Sequence, residues 1–127
     1  MSNTRKTNKN YHSNGQLWSE ENYNDGELHG LSRSWYENGQ LKGEWNYENG
    51  EMVGPCRDWY DTGQLRWERH YENGELHGLQ RWWYKNGHLE WEENWKNGEP
   101  HGLSRRWDED GQLLSEDNYE NGELLTQ

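Results

Sequence analysis

The sequence predicts an all-β protein: a single-layer, curled antiparallel meander of about ten strands built from five tandem 24-residue hairpin repeats. Three observations carry this. Glycines recur at a strict step of 24, with Gly15, Gly39, Gly63, Gly87 and Gly111 in one series and Gly26, Gly50, Gly74, Gly98 and Gly122 in a second. Nearly every one follows Asn or Asp, and Asn-Gly or Asp-Gly between aromatic-rich runs is the strongest short-range hairpin signal. The runs between these turns have strand length.

The elements follow in chain order. Residues 1–10, with Arg5, Lys6 and Lys9 and no acid, are expected to form a flexible leader without the apolar core of a signal peptide. The repeat domain spans 11–127. Within it Leu17, Leu41, Leu65, Leu89 and Leu113 open one strand of each unit, and Tyr23, Tyr47, Tyr71, Trp95 and Tyr119 close it. The companion strand carries Leu31, invariant Arg33, Arg57, Arg81 and Arg105, then Trp35, Trp59, Trp83 and Trp107. A third glycine series, Gly30, Gly54, Gly78 and Gly102, lies beside Pro55 and Pro100 and is expected to mark a bulge.

Turn geometry decides which residues share a face. Thr62 replaces Asn before Gly63, and a β-branched residue resists the positive φ that a two-residue turn demands. Three-residue loops are therefore expected throughout, which preserve parity and place the odd-numbered Leu17, Tyr23, Leu31 and Trp35 columns on one invariant apolar face. The even face, with Trp18, Lys42, Arg66, Glu90 and Leu114 in one column, would be the variable back. The rival two-residue register would set Arg33 opposite Glu44.

Composition narrows function. Only 28% of residues are hydrophobic and Phe, Ala and Ile are absent, yet there are ten Trp and eight Tyr, which implies a thin aromatic core. A net charge of −11 disfavours nucleic acid or anionic membrane as a direct ligand, since both need a basic footprint. No stretch has the length and apolarity of a membrane span. Cys56 is alone, which fits a reducing cytoplasm, of a bacterium or of an infected host.

No catalytic set stands out, because each candidate recurs in every unit while an active site is usually unique. His29, His77 and His101 share a column, but equivalent positions two strands apart, roughly 9–10 Å, cannot share one metal ion. No metal and no cofactor is expected. Arg33, Arg57, Arg81 and Arg105 lie two residues from a Trp, so cation–π stacking is the structural expectation and an anion-binding stripe the functional one. Glu27, Glu51, Glu75, Glu99 and Glu123 form an acidic rim beside the turns. Trp45, Trp67, Trp82 and Trp91 are not required by the repeat, and with Glu75 they are the candidate partner-binding residues.

The pattern W-Y-x-N-G-Q-L-x-x-E-x-x-Y-x-N-G-E-L-x-G, seen at 35–54 and 59–78, resembles the MORN-repeat variant of YwqK-like antitoxins. The likeness runs from residue 11 to about 125, with departures at Trp95, Asp108 and the paired Trp82-Trp83. It implies a single-layer elongated sheet that binds proteins, toxin neutralisation in particular. The resulting expectation is a non-catalytic, monomeric, antitoxin-like scaffold that inhibits a basic protein. The alternative is a small-ligand binder, for a nucleotide or glycan, that uses an aromatic and arginine-lined groove.

Overall fold

The computed structural model describes residues 4–125, which form fourteen strands of one antiparallel sheet with no helix among the described residues. Strand β1 (Arg5–Tyr11) pairs with β2 (Leu17–Asn24), which turns into β3 (Glu27–Leu28) and, past a bulge, β4 (Gly30–Trp35). The unit then repeats as β5 (Leu41–Glu48), β6 (Glu51–Met52) and β7 (Gly54–Trp59), and as β8 (Leu65–Glu72), β9 (Glu75–Leu76) and β10 (Gly78–Trp83). It closes with β11 (Leu89–Lys96), β12 (Glu99–Trp107), β13 (Leu113–Glu120) and β14 (Glu123–Leu124). Chain neighbours are sheet neighbours, and the sheet stays open. The short strands β3, β6 and β9 are the first halves of β4, β7 and β10, and β14 is a fourth of the kind, so the other ten strands are the meander expected.

The leader expectation needs correction. Arg5–Tyr11 is the first strand, with Lys9 opposite Glu20 and Lys6 opposite Tyr23. It occupies the position that β4 and its equivalents hold in later units, and its polar residues suit an exposed strand. The first three residues of that leader lie outside the described residues.

The turns are of two kinds, not one. At Tyr36–Gln40 the Gly39 amide donates to Tyr36 O at 2.9 Å and the Tyr36 amide to Gln40 O at 2.9 Å, closing a three-residue loop with Gly39 at φ 88°. Thr62 sits in a loop of this kind, where its own φ is not positive. The second glycine series instead makes two-residue turns: Asn73 and Gly74 have φ 53° and 79°, and Glu72 pairs directly with Glu75. Both central residues are left-handed there, as this hairpin turn requires, which explains why the position is always Asn or Asp.

Bulges then overturn the parity expectation. After each three-residue loop the register slips by one residue: Trp35 faces Leu41, but Ser34 faces Gly43. Lys42 is the extra residue, and its column is Trp18, Lys42, Arg66, Glu90 and Leu114. At the Gly30 series two residues are gained on the other strand, since Tyr23 pairs with Leu28 while Glu20 pairs with Arg33. An even insertion keeps parity; an odd one does not. Arg33 therefore faces Glu44, as the rival register demanded, although the three-residue loop is present. The Leu17, Leu31 and Trp35 columns share one face with these charges. The Tyr23 column lies on the other.

Every buried residue falls on the side of the Tyr23 column: Ser32, Gly43, Cys56, Asp58, Gln80 and Glu93. Cys56 is the one buried hydrophobic residue among those described. The large aromatics stay half-buried because a single layer leaves each ring one open side. They shield the short side chains between them rather than one another.

Candidate functional site

The first face is a charge ladder. Lys9, Glu20, Arg33, Glu44, Arg57, Glu68, Arg81, Glu92, Arg105 and Glu116 stand opposite one another in one row across the sheet. Each arginine donates from Nε to the glutamate on the next strand, at 3.2 Å for Arg33–Glu44, 2.7 Å for Arg57–Glu68, 3.0 Å for Arg81–Glu92 and 2.8 Å for Arg105–Glu116. Arg57 and Arg105 also reach back to Glu44 and Glu92. Burial pushes the Glu68 carboxyl up, but the hydrogen bond and charge of Arg57, with His70 beside it, outweigh this and hold it below the usual carboxylate range. The column arginines are thus paired with carboxylates. Cation–π contacts among the described residues come instead from Lys42, Arg69 and Arg106.

The second face is built on tryptophan. Asp58, Trp67, Trp82, Trp91 and Arg106 stand opposite one another on five successive strands of the sheet. Trp82 and Trp91 stack with centroids 4.7 Å apart at 25°. The Arg69 guanidinium lies 4.4 Å from the Trp67 ring and 5.5 Å from the Trp82 ring, and Arg106 lies 4.4 Å from Trp91. Trp45 sits one pair further along and meets Trp67 edge-on at 6.5 Å. Its ring covers Gly43: a Cβ built there would come within 2.3 Å of the Trp45 Cη2. Trp45, Trp67, Trp82 and Trp91, which the sequence reading took as separate residues the repeat does not require, are therefore one half-buried cluster. Arg69 and Arg106 escaped that reading because nothing in the repeat marks them. Arg69 follows Trp67 by two residues on β8 and Arg106 faces Trp91 across the sheet, so both guanidiniums fall on the side of the rings.

Acids are buried within this face. Burial raises the Asp58 carboxyl above its ordinary value despite Arg66, whose Nε lies 2.8 Å from Oδ2. That contact is an ion pair outside hydrogen-bond geometry, so Oδ2 has no hydrogen-bond partner. Burial likewise raises Glu93, which accepts from Trp95 Nε1 at 3.2 Å and lies near Arg106. The Cys56 thiol is pushed up by burial as well, which removes thiolate character.

The two ends of the strands differ in chemistry. At the two-residue turns, exposed carboxylates face each other directly in Glu48–Glu51, Glu72–Glu75 and Glu120–Glu123, an arrangement that costs stability. Glu75 belongs to this rim and is not part of the tryptophan cluster. The histidine column lies here too: Nδ1 of His29, His77 and His101 accepts the backbone amide of Asn49, Asn97 and Asn121 in the next unit's turn, at 3.3, 3.3 and 3.2 Å. Among the described residues no group of three or more His, Cys, Asp or Glu could hold a metal ion. At the three-residue loops, Tyr36, Tyr60 and Tyr84 donate to the carbonyls of Trp59, Trp83 and Trp107 one unit on.

Units tied to their neighbours at both strand ends, in an open one-layer sheet, define a repeat scaffold. Its particular kind follows from sequence comparison. The chain belongs to the MORN repeat variant family, whose model matches residues 7–25, 28–49, 52–73, 76–97 and 100–125. Comparison with curated proteins and with solved structures gave no match. No helix among the described residues is long and apolar enough to cross a membrane.

Proposed function

We propose that this chain is a non-catalytic, protein-binding scaffold that inhibits a basic protein in the manner of an antitoxin. One observation carries the reading: the tryptophans the repeat does not require converge on one face, with Trp67, Trp82 and Trp91 abreast on neighbouring strands. Trp and Arg dominate interface hot spots, and here two guanidiniums lie on the rings. The facing carboxylates at the rim support a basic partner, since they raise the free protein's energy and a cation would relieve them. The arginine-lined groove has less support, because each column guanidinium already holds a glutamate. The cytoplasm, bacterial or of an infected host, remains the compartment proposed, and a monomer the proposed state.

The test begins with affinity capture of the native partner, followed by binding kinetics at two salt concentrations. Trp82→Ala and Trp91→Ala are expected to weaken binding tenfold or more, chiefly through faster dissociation. Glu75→Lys is expected to slow association, and salt to slow it further, because the field is screened within about 8 Å at physiological ionic strength. An acidic partner, or binding indifferent to these tryptophans, would refute the proposal.

A further inference from the structure

We propose that a pocket at the N-terminal end of the tryptophan face is a saccharide-binding site. It goes beyond the protein-binding reading and shares only Trp45 with it. The pocket has a volume of about 480 Å³, within the range of small-molecule sites. Its origin lies in the departures between repeats. Where the third and fourth units carry Trp67, Trp82 and Trp91, the first two carry Ser19, Ser34 and Gly43 in the corresponding row. Ser19 and Ser34 leave a trough between Trp18, from the bulge after the first loop, and Trp45, whose ring covers Gly43, with Tyr47, from β5.

The trough is lined as a sugar requires. Aromatic rings on opposite sides offer flat apolar surface to the C–H faces of a pyranose. Between them lie neutral hydrogen-bonding groups. Ser32 is only 7% exposed, lines the pocket, and its Oγ has no hydrogen-bond partner. Buried hydroxyls in native proteins are nearly always satisfied, and this one, closed off from solvent at the pocket floor, would gain a partner by turning its rotamer toward a ligand there. Ser19 Oγ accepts from Asn10 Nδ2 at 3.0 Å and keeps its own proton free to donate. Glu21 accepts the Tyr23 hydroxyl on Oε2 and retains Oε1 as an acceptor.

The charges argue against other ligands of this size. An anion such as a nucleotide phosphate would meet Glu21, while Arg33 is already bonded to Glu44. A quaternary ammonium, which aromatic walls also suit, would meet Lys42, which lines the same pocket. A neutral polyhydroxylated ligand meets neither obstacle. It can also use every neutral group present, including the orphaned Ser32 hydroxyl.

Saturation-transfer NMR on the full chain tests this, with glucose, N-acetylglucosamine, maltose and cellobiose as probes and choline and AMP as competitors. Transfer to the ring C–H protons of at least one saccharide is expected. Trp18→Ala, at a residue half exposed and safe for folding, is expected to abolish it. Ser32→Ala is expected to weaken affinity roughly two- to tenfold, the loss for one neutral hydrogen bond. Trp91→Ala, outside the pocket but central to the protein-binding reading, is expected to leave it unchanged, so the two proposals fail separately. Absence of transfer to all four saccharides would overturn the assignment. So would binding that survives both Trp18→Ala and Ser32→Ala, or displacement of the saccharide by choline or AMP.

Discussion

Replacing Gly43 by alanine tests the packing of the tryptophan face most directly. Fourteen of the fifteen glycines have positive φ, and Gly43 is the exception, so its role is space rather than conformation. The added methyl would lie 2.3 Å from Cη2 and 2.7 Å from Cζ3 of Trp45, too close for the ring to remain. Overpacking of this kind costs about 1–3 kcal/mol. The lost edge contact with Trp67 is part of that cost, as such pairs contribute about 0.5–1.5 kcal/mol. Alanine also narrows the unfolded ensemble, which returns about 0.4–1 kcal/mol. The net expectation is a loss of about 1–2 kcal/mol. At roughly 3–5 °C per kcal/mol for a chain of this size, Tm falls by about 3–10 °C. Thermal unfolding followed by circular dichroism reads it, with near-ultraviolet bands reporting the displaced indole. In a Trp45→Leu background the same alanine should be neutral or stabilising. An unchanged or raised Tm in the parent background would refute the packing described.

Four further predictions concern single features. Gln80 is fully buried and bridges the bulge by accepting from the His70 amide at 2.8 Å and donating to the His70 carbonyl at 3.2 Å, so Gln80→Ala should cost about 2–3 kcal/mol in denaturant unfolding. In other units an asparagine spans the bulge, as Asn46 does to Pro55 O at 2.8 Å, so adding His70→Asn should recover part of the loss; no recovery would contradict this equivalence. Glu68→Gln should lower Tm at pH 7: a depressed folded pKa stabilises above the unfolded value near ~4.3 and the gain is lost as pH falls through the folded value, so the difference should close in acid. Asp58 has the opposite sign, its raised pKa stabilising below the unfolded value and losing that benefit as pH rises through the folded one; Asp58→Asn should therefore hold or raise Tm at pH 7, and a clear fall would show Arg66 to be the stronger influence. Thr62→Asn should stabilise by about 0.5–1 kcal/mol, measured by chemical unfolding, because Asn38 and Asn86 donate to the carbonyls of Asp61 and Glu109 in the next loop while threonine has no amide to do so.

The repeat, its all-β character and the turn positions were legible in the sequence because they depend on local chemistry. Asn-Gly specifies a reversal whatever surrounds it, and a 24-residue step of glycines, leucines and aromatics fixes where strands begin. Even Thr62 correctly announced a loop without positive φ before its glycine. That inference was sound for one turn series and wrong for the other, where Asp25, Asn49, Asn73, Asn97 and Asn121 are all left-handed. The off-pattern tryptophans could likewise be picked out, since a residue the repeat does not demand stands apart from its column.

What only the tertiary structure decided is which residues share a face. Parity is a sum over every turn and bulge between two positions, so one unforeseen extra residue reverses all that follows. The slip at Lys42 and its equivalents set the column arginines opposite glutamates, so the alternative arginine-lined groove became the paired ladder from Lys9 to Glu116. The same slip moved the Tyr23 column off the Leu17 face, while the two-residue turn at Asn97-Gly98 set Arg106 opposite Trp91. A bulge is chosen by strand twist and cross-strand packing, which involve residues of neighbouring units, and no local pattern at Lys42 records it. Local chemistry set the strands and turns of this protein; register, a property of the whole sheet, set its faces.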